Sequence, residues 1–311
     1  MSSAVQTVAT SSSPVSAPVA VAPRTIDAVY NPPGLHWVGD GFRVHGYFSV
    51  IPEAVRKLDP FLMLDYHPEH HYAPTSEPRG VGVHPHRGFE TVTLAFQGSV
   101  AHHDSAGGGG VIGPGDVQWM TAASGVLHKE YHERSYAERG GPFQMAQLWV
   151  NLPRAHKMDP PRYQPLLAAE MGLVTLPDAA GTVRVIAGEY AGVRGPAQTF
   201  SKVQIYDVEL RAHGRASFRF PASETLALLI LKGEARVNGG RTVSADQFVL
   251  FRREGEALEL EATADAQILL LNGEPLEEPI VQYGPFVMNT DREIREAIVD
   301  YSNGKFGQLD D

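Results

Sequence analysis

The 311-residue sequence contains no cysteine. A disulfide, a cysteine-type zinc site and a thiol nucleophile are therefore excluded, and any metal must be held by nitrogen and oxygen ligands. The sequence also lacks an uncharged apolar run of about eighteen residues, the length that a transmembrane helix needs. We therefore expect a soluble, cytoplasmic protein with no membrane partner.

Positive charge is also scarce. The 26 Lys and Arg residues are outnumbered by 36 Asp and Glu residues, so the formal net charge is −10, and no basic run stands out. Direct binding to nucleic acid needs clustered cations and is not expected. Helical periodicity is sparse as well, whereas 31 Gly and 23 Pro residues separate many short apolar runs. This composition favours an all-β fold.

Strand signals recur in both halves of the chain. Short, evenly spaced apolar runs between residues 81 and 133 indicate a small antiparallel barrel or sandwich. A Pro-rich connection over residues 153–165 leads to a second half with the same spacing, and the length exceeds that of a typical single domain. We predict a disordered tail over residues 1–24, a metal-binding barrel over 25–155 and a second barrel without metal over 156–311.

One helix is predicted close to the C-terminus. Thr290 and Glu293 form a capping-box pattern at its start. The apolar residues that follow fall on one helical face. We expect this face to pack on the exterior of a barrel through Ile294, Ala297, Ile298 and Tyr301.

Two short segments, His84-Pro85-His86 and His128-Lys129-Glu130, lie in strand-like runs. Residues i and i+2 of a strand project to the same face, so each segment offers two donors to one point. Three neutral imidazoles and a carboxylate suit a first-row divalent metal that keeps positions open for substrate. Because this donor set accepts Fe, Mn, Co, Ni, Cu or Zn, the residues leave the identity of the metal open.

Other histidines are interpreted as lying outside the metal site, namely His67, His70, His71, His102, His103 and His132. The first three fall in an apparent polar loop over residues 67–80, where a solvated or lid role is favoured. His102 and His103 are adjacent, so they point to opposite faces of a strand and cannot chelate together. His132 keeps the parity of His128, but an exposed position is favoured for it.

The histidine segments match the two motifs of the cupin superfamily. The first is His84-x-His86 followed by Glu90 and Gly98, and the second is a Gly turn followed by His128. Four longer stretches resemble the signatures of the pirin family, whose members are two-barrel cupin proteins. They are HPHRGFETVT at 84–93, GPGDVQWMT at 113–121, QLWVNLP at 147–153 and GPFVMNT at 284–290. The resemblance spans nearly the whole chain apart from its tail and implies two cupin-type β-barrels with a short C-terminal helix.

The resemblance to the pirin family also implies a site. It assigns one metal, most often Fe²⁺, to His84, His86, His128 and Glu130 in the N-terminal barrel. The general cupin pattern would nominate Glu90 as the carboxylate ligand, and we interpret Glu90 as a supporting residue beside the ligands. In the second half, the stretch at 219–224 lacks the histidines that a cupin metal site needs, so a second metal is not expected.

An activity is implied as well. Bacterial pirin-like proteins are associated with an iron-dependent dioxygenase that opens a flavonol such as quercetin with O₂, and Glu130 would then be the general base. The alternative is an iron-bearing, redox-sensitive regulatory protein that binds a protein partner. The acidic surface of this chain would suit a basic partner. A third possibility is a metal-bearing cupin without efficient chemistry.

Overall fold

A computed structural model of the chain describes residues 21–49 and 56–310. Most of the predicted tail lies outside these residues, but its last part does not. Arg24 is 2% exposed, and its guanidinium donates to the carbonyls of Glu224 and Arg252, each at 3.0 Å. The predicted tail therefore extends too far, because Arg24 is anchored in the second half of the chain.

The first half consists of short antiparallel strands, as its glycine and proline turns predict. They are β1 (Ile26–Tyr30), β2 (His36–Val38), β3 (Phe42–Phe48), β4 (Phe61–Tyr72), β5 (Gly80–His86), β6 (Phe89–Gln97), β7 (Val100–Asp104), β8 (Gly109–Ile112), β9 (Val117–Thr121), β10 (Val126–His132), β11 (Gly141–Asn151) and β12 (Arg162–Leu166). Helix α1 (Arg134–Arg139) separates β10 from β11. The Glu133 carboxylate caps this helix by accepting from the backbone N–H groups of Ser135 and Tyr136.

The second half repeats the pattern. Its strands are β13 (Gly172–Thr175), β14 (Gly181–Ala187), β15 (Glu189–Tyr190), β16 (Val193–Arg194), β17 (Val203–Leu210), β18 (Arg215–Arg219), β19 (Thr225–Lys232), β20 (Glu234–Val237), β21 (Thr242–Ser244), β22 (Phe248–Phe251), β23 (Ala257–Ala262), β24 (Ala266–Gly273), β25 (Val281–Tyr283) and β26 (Phe286–Met288). Helix α2 (Asp291–Ser302) follows. None of the helices in the described residues has the length and apolar character that a membrane crossing requires.

Each half forms a barrel of one large and one small sheet. The first combines a seven-stranded sheet, ordered β12-β9-β6-β11-β4-β3-β2, with a four-stranded sheet, ordered β5-β10-β7-β8. The second combines the orders β1-β22-β19-β24-β17-β14-β13 and β18-β23-β20-β21. These sheets confirm the prediction of an all-β fold with two barrels.

The two large sheets pack against each other. One continuous apolar cluster contains Trp119 and Leu148 from the first barrel and Ile205 and Leu269 from the second, and all four are buried. Since burying a large apolar side chain contributes about 1.5–3 kcal/mol, this interface holds the barrels together strongly. The interior of the second barrel is filled by a separate apolar cluster that includes Leu228.

The ends of the chain cross between the barrels. Strand β1 pairs with β22 of the second barrel. Conversely, the segment that contains β25, β26 and α2 packs on the first barrel. There the backbone of Phe286 forms an isolated parallel β-bridge with that of Arg87. Lys157, 1% exposed, fastens this contact by donating to the carbonyls of Gly88 at 2.6 Å and Val287 at 3.1 Å. The division near residue 155 stays a prediction, but both ends of the chain cross it.

The C-terminal helix confirms its predicted capping pattern. The Thr290 hydroxyl accepts from the backbone N–H of Glu293 at 3.2 Å. Ile294 and Ala297 are buried against the β25–β26 hairpin. Ile298 and Tyr301 of the predicted apolar face are 37% and 44% exposed, so the packed stripe is narrower than expected.

The polar loop predicted at residues 67–80 is wrong over its first part. Strand β4 continues to Tyr72 and pairs with β11, so that His67 lies opposite Met145. His67 is fully buried, and one ring nitrogen lies 2.9 Å from the Tyr72 hydroxyl. The polar residues made this strand look like a loop. Its buried polar side chains are hydrogen-bonded within the protein, as His67 is to Tyr72. The Pro-rich connection likewise contains β12, which pairs with β9.

Candidate metal centre

The two histidine segments lie on neighbouring strands. β5 and β10 pair antiparallel with His84 opposite His128 and His86 opposite Val126. The ring centroids are separated by 4.2 Å for His84 and His128, 4.7 Å for His86 and His128, and 4.9 Å for His84 and His86. One ring nitrogen from each lies within 4.8 Å of the other two. The pairing of β5 with β10 therefore brings His128 to the two imidazoles that strand alternation places on one face of β5.

The protonation of these rings suits metal binding. His84 Nδ1 lies 2.8 Å from the carbonyl of Gly82, to which it donates, so Nε2 keeps its lone pair. Burial lowers the pKa of His86 and His128 well below the ordinary value, and the neighbouring imidazoles lower both pKa values further. His86 and His128 are therefore available as neutral donors, the form that a metal binds.

Two buried nitrogens in this group lack a protein partner. His86 Nδ1 and His128 Nε2 are inaccessible to water and make no hydrogen bond. Buried polar atoms are nearly always paired, so two orphaned nitrogens in one cluster need an explanation. A bound cation would satisfy a ring nitrogen that faces the centre of the cluster. The residues present therefore fit a divalent metal.

Glu130 is held by a polar row on the opposite sheet. Thr93 of β6 lies between Gln118 of β9 and Gln147 of β11 in the strand register. Gln147 Nε2 donates to Glu130 at 2.7 Å, the Thr93 hydroxyl donates at 3.2 Å, and Gln118 Nε2 donates as well. Three donors fix the orientation of this carboxylate, which is only 4% exposed.

Glu130 belongs to a second group of potential ligands. Its partners there are His128 and His102, and one ligand atom from each lies within 4.8 Å of the other two. His128 is therefore common to both groups, and the strand register places His102 opposite Glu130. His102 was not expected at the site. The sequence argument excluded only joint chelation by the adjacent residues His102 and His103, and it does not exclude His102 acting with residues of other strands. His102 alone faces the barrel interior and is fully buried.

Glu90 lies outside both groups of potential ligands in the part of the chain that the structure describes. It is fully buried on β6, and the hydroxyl of Thr121 donates to its Oε1 at 2.7 Å. Burial raises the pKa of Glu90 to about 7. Its supporting role beside the ligands stays a prediction.

The prediction that His132 is exposed is wrong. It is 2% exposed and stacks on Phe143 with ring centroids 4.5 Å apart. Its Nε2 lies 2.9 Å from the carbonyl of Gly41, and burial lowers the pKa of His132 to about 4. His132 is therefore part of an aromatic cluster next to Tyr72 rather than a surface residue.

Comparisons with known proteins identify the family. The sequence pattern described as Pirin matches residues 41–150, and that of the Pirin C-terminal cupin domain matches residues 205–307. A Pseudomonas aeruginosa protein named "Putative quercetin 2,3-dioxygenase" is 51% identical over 283 residues, which cover 91% of this chain and 98% of that protein. The chain belongs to the pirin family.

Solved structures agree with this pirin assignment. A crystal structure of quercetin 2,3-dioxygenase from Acinetobacter baumannii has 46% identity and a TM-score of 0.89, covering 93% of this chain and 100% of that one. The bacterial pirin YhhW from Escherichia coli, solved in complex with nickel(II), has 21% identity and a TM-score of 0.60, covering 80% and 100%. The second likeness shows the fold alone. The predicted pirin-type arrangement of two cupin barrels is confirmed.

Sequence reasoning overlooked three polar residues around this pirin site, Thr93, Gln118 and Gln147, and it placed a fourth, His102, outside the site. A signal for them does exist. Each of the three on the large sheet is a single polar residue flanked by apolar neighbours, as in Val117-Gln118-Trp119. A lone polar side chain inside an apolar strand needs a buried hydrogen-bond partner. For all three residues that partner is the carboxylate of Glu130.

Proposed function

We propose that this chain is a metal-dependent dioxygenase that opens the ring of a flavonol such as quercetin with O₂. The observation that carries the proposal is the convergence of three imidazoles on one wall of a barrel, two of them, His86 and His128, buried with an unpaired ring nitrogen. The likeness to proteins named as quercetin 2,3-dioxygenases, at 51% and 46% identity, supports the substrate class.

His84, His86, His128 and Glu130 are the residues that we propose to hold the metal, with Fe²⁺ as the preferred ion. When bound, a redox-active ion supplies the Lewis acidity and the oxygen chemistry that ring opening needs. Glu130 is turned towards the polar row in this structure, where its Oε1 accepts from Thr93 and Gln118 and its Oε2 accepts from Gln147, so a lone pair of Oε2 stays available for a metal. The ion remains a proposal, since the donor set also accepts nickel and other divalent metals.

Glu130 is also the proposed proton acceptor. A flavonol loses the proton of its 3-hydroxyl before ring opening, and a buried carboxylate on the barrel wall is placed to take it. Gln118, Gln147 and Thr93 contact this carboxylate only as donors, so they hold it in place without competing for the proton. Opening of the flavonol ring then releases carbon monoxide and leaves a depside.

An aromatic wall next to His86 offers a surface for a planar substrate. Phe89 and Trp149 stack with ring centroids 4.2 Å apart, and the Trp149 ring lies 5.2 Å from that of His86. Aromatic rings prefer stacked or edge-to-face contacts with other rings, which suits a flavonol. We therefore assign the orientation of the substrate to Trp149, which is only partly buried, with the fully buried Phe89 supporting its ring.

The decisive experiment measures O₂ consumption and carbon monoxide release by iron-loaded protein with quercetin. We expect His84→Ala and His128→Ala to lose the activity and to bind less iron per chain. His103→Ala is the matched control, because His103 is exposed on the outer face of β7. If wild-type protein is no faster than an equal concentration of free Fe²⁺, the proposed activity is wrong.

The regulatory alternative predicts a different result. A protein partner would be retained from cell extract by the ferric form and not by the ferrous form. Elemental analysis of protein purified without added metal bears on both functions, because redox-active iron supports either one and zinc supports neither.

A further inference from the structure

A buried pair of side chains lies directly behind the ligand His128. His102 Nδ1 is 3.5 Å from His128 Nδ1, and His102 Nε2 is 3.3 Å from Asp104 Oδ2. All three residues lie on the inner face of neighbouring strands, since Asp104 is opposite His128 in the register of β7 and β10. None is more than 6% exposed, so water does not separate them.

The orientation of this pair is set by the fold. Asp104 Oδ1 accepts from the backbone N–H groups of Ala106 at 2.9 Å and Gly108 at 2.8 Å, which leaves Oδ2 for His102. The ring of His102 stacks on Tyr163 with centroids 4.9 Å apart and an angle of 15° between the planes. The carboxylate and the ring are thus each held by contacts independent of His128.

The donor and acceptor roles in this chain follow from the carboxylate. Since an ionised carboxylate only accepts, His102 must carry its proton on Nε2, and its Nδ1 is then a bare acceptor. That acceptor takes the proton on Nδ1 of His128. A neutral imidazole carries one N–H, so Nε2 of His128 is left with its lone pair. This nitrogen is the one that is buried without a partner.

We propose that Asp104 and His102 are positioning residues that set the tautomer of His128, so that its Nε2 is presented as a metal donor. In this assignment His102 acts through His128 and is not itself a metal ligand, although it lies within ligand distance of His128 and Glu130. This inference rests on the metal site of the proposed function. Partners of this kind behind a ligand typically change metal affinity by about 10–100-fold.

Substitution of Asp104 by Asn tests the tautomer directly. The side-chain oxygen of the new residue must stay on the backbone N–H groups of Ala106 and Gly108, so its amide nitrogen faces His102. His102 would then accept through Nε2 and donate through Nδ1, and His128 would have to carry its proton on Nε2. We expect Asp104→Asn to bind Co²⁺ about 10–100-fold more weakly than wild type.

The measurement is competition between the metal-free protein and a chromophoric chelator for Co²⁺, followed by the visible spectrum at saturating Co²⁺. We expect Asp104→Asn to shift the visible bands as well as the affinity. Asp116→Asn is the control, because Asp116 accepts from the backbone of Gly113 at 2.9 Å and Ala168 at 2.7 Å but is not linked to a histidine. It should leave the Co²⁺ affinity unchanged.

A double-mutant cycle separates action through His102 from a general effect on the fold. If Asp104 works through His102, Asp104→Asn should have no further effect on Co²⁺ affinity in a His102→Gln background. Thermal unfolding of each metal-free variant reports folding independently of the metal.

The outcomes are distinguishable. The positioning role is overturned if Asp104→Asn binds Co²⁺ within about twofold of wild type, or if its loss persists undiminished with His102→Gln. An equal loss in Asp116→Asn would overturn it too, because turn capping would then be the cause. If His84→Ala binds Co²⁺ as well as wild type does, the metal site itself is wrong, and with it the proposed function.

Discussion

The guanidinium of Arg87 binds the carboxylate of Asp300 through two N–H groups, each at 3.0 Å, although 213 residues separate them in the chain. Arg87 directly follows His86, and its backbone carbonyl accepts from the N–H of Val287 at 3.0 Å. The C-terminal segment therefore holds the residue next to a proposed ligand through both its side chain and its backbone.

Asp300→Ala should remove both hydrogen bonds between the side chains of Arg87 and Asp300. Arg87 is 4% exposed, so removal of the carboxylate leaves a nearly buried charge without its partner. We expect a loss of about 2–4 kcal/mol in the free energy of unfolding and reduced Co²⁺ affinity. Urea unfolding of the metal-free protein and Co²⁺ titration measure the two effects.

Glu296→Ala is the control for this prediction. Its carboxylate pairs with Arg292 at 3.7 Å on the exposed side of the same helix, where an ion pair contributes only about 0.5 kcal/mol. Equal destabilisation by both substitutions would show that the contact with Arg87 is not the stabilising one.

Gln147→Leu should impair the site more than the fold. Gln147 donates to Glu130 at 2.7 Å, and its loss leaves the carboxylate with fewer donors in a buried position. We expect metal affinity or turnover to fall by about 10–100-fold. Gln144→Leu is matched to it, because Gln144 lies on the same strand and donates to Tyr66 at 2.7 Å, away from the ligands. Comparable loss of metal in the two variants would refute a specific role for Gln147.

Binding of a transition metal should quench the fluorescence of Trp149. Its ring lies 5.2 Å from that of His86, within easy range of energy or electron transfer to an open-shell ion. We expect a titration with Ni²⁺ or Co²⁺ to reduce the emission of wild-type protein. Trp149→Phe should remove most of this change, whereas Trp37→Phe should not, because Trp37 is 52% exposed in strand β2.

Glu90 should make the stability depend on pH. Burial raises its pKa from the ordinary value of 4.5 to about 7, so the folded protein binds more protons than the unfolded chain between these values. The free energy of unfolding therefore falls as the pH rises through this window, by roughly 3 kcal/mol in total.

Glu90→Gln removes this titration. Relative to wild type, the variant should be more stable at pH 8 than at pH 5 by roughly 3 kcal/mol, because the other groups titrate in both proteins and cancel. Urea unfolding of metal-free protein at the two pH values measures the difference, since an ion would add its own charge. A pH-independent difference would mean that Glu90 is not protonated on folding.

Strand alternation was sufficient to predict which residues share a face within each histidine segment, whereas the meeting of the two segments depends on the pairing of β5 with β10. His84 and His86 are two residues apart, and the same rule predicts that His128 and Glu130 share a face. The predicted helix also needed only local information, because Thr290 and Glu293 are three residues apart. Both patterns are set by backbone geometry within a few residues, which a single sequence displays directly.

The remaining features depend on contacts between distant segments. Strand alternation shows that His132 could face inwards, but it does not show that the carbonyl of Gly41 and the ring of Phe143 contact it there. In the same way, the polar run after His67 looks like a loop until β11 is known to pair with it. No local sequence pattern reveals that Gln118 and Gln147 contact Glu130, because the two glutamines lie on the large sheet and Glu130 lies on the small one. Partner choice is a property of the barrel and is absent from any one strand.

The crossing of the chain ends also governs the order in which this protein can mature. Strands β5 and β10 leave the ribosome long before the segment that contains Phe286 and Asp300. The turn after His86 therefore lacks Asp300, Val287 and the Lys157 bridge to Val287 until synthesis is almost complete. A nascent chain halted before residue 281 would contain every proposed ligand and would still lack these contacts to the turn after His86.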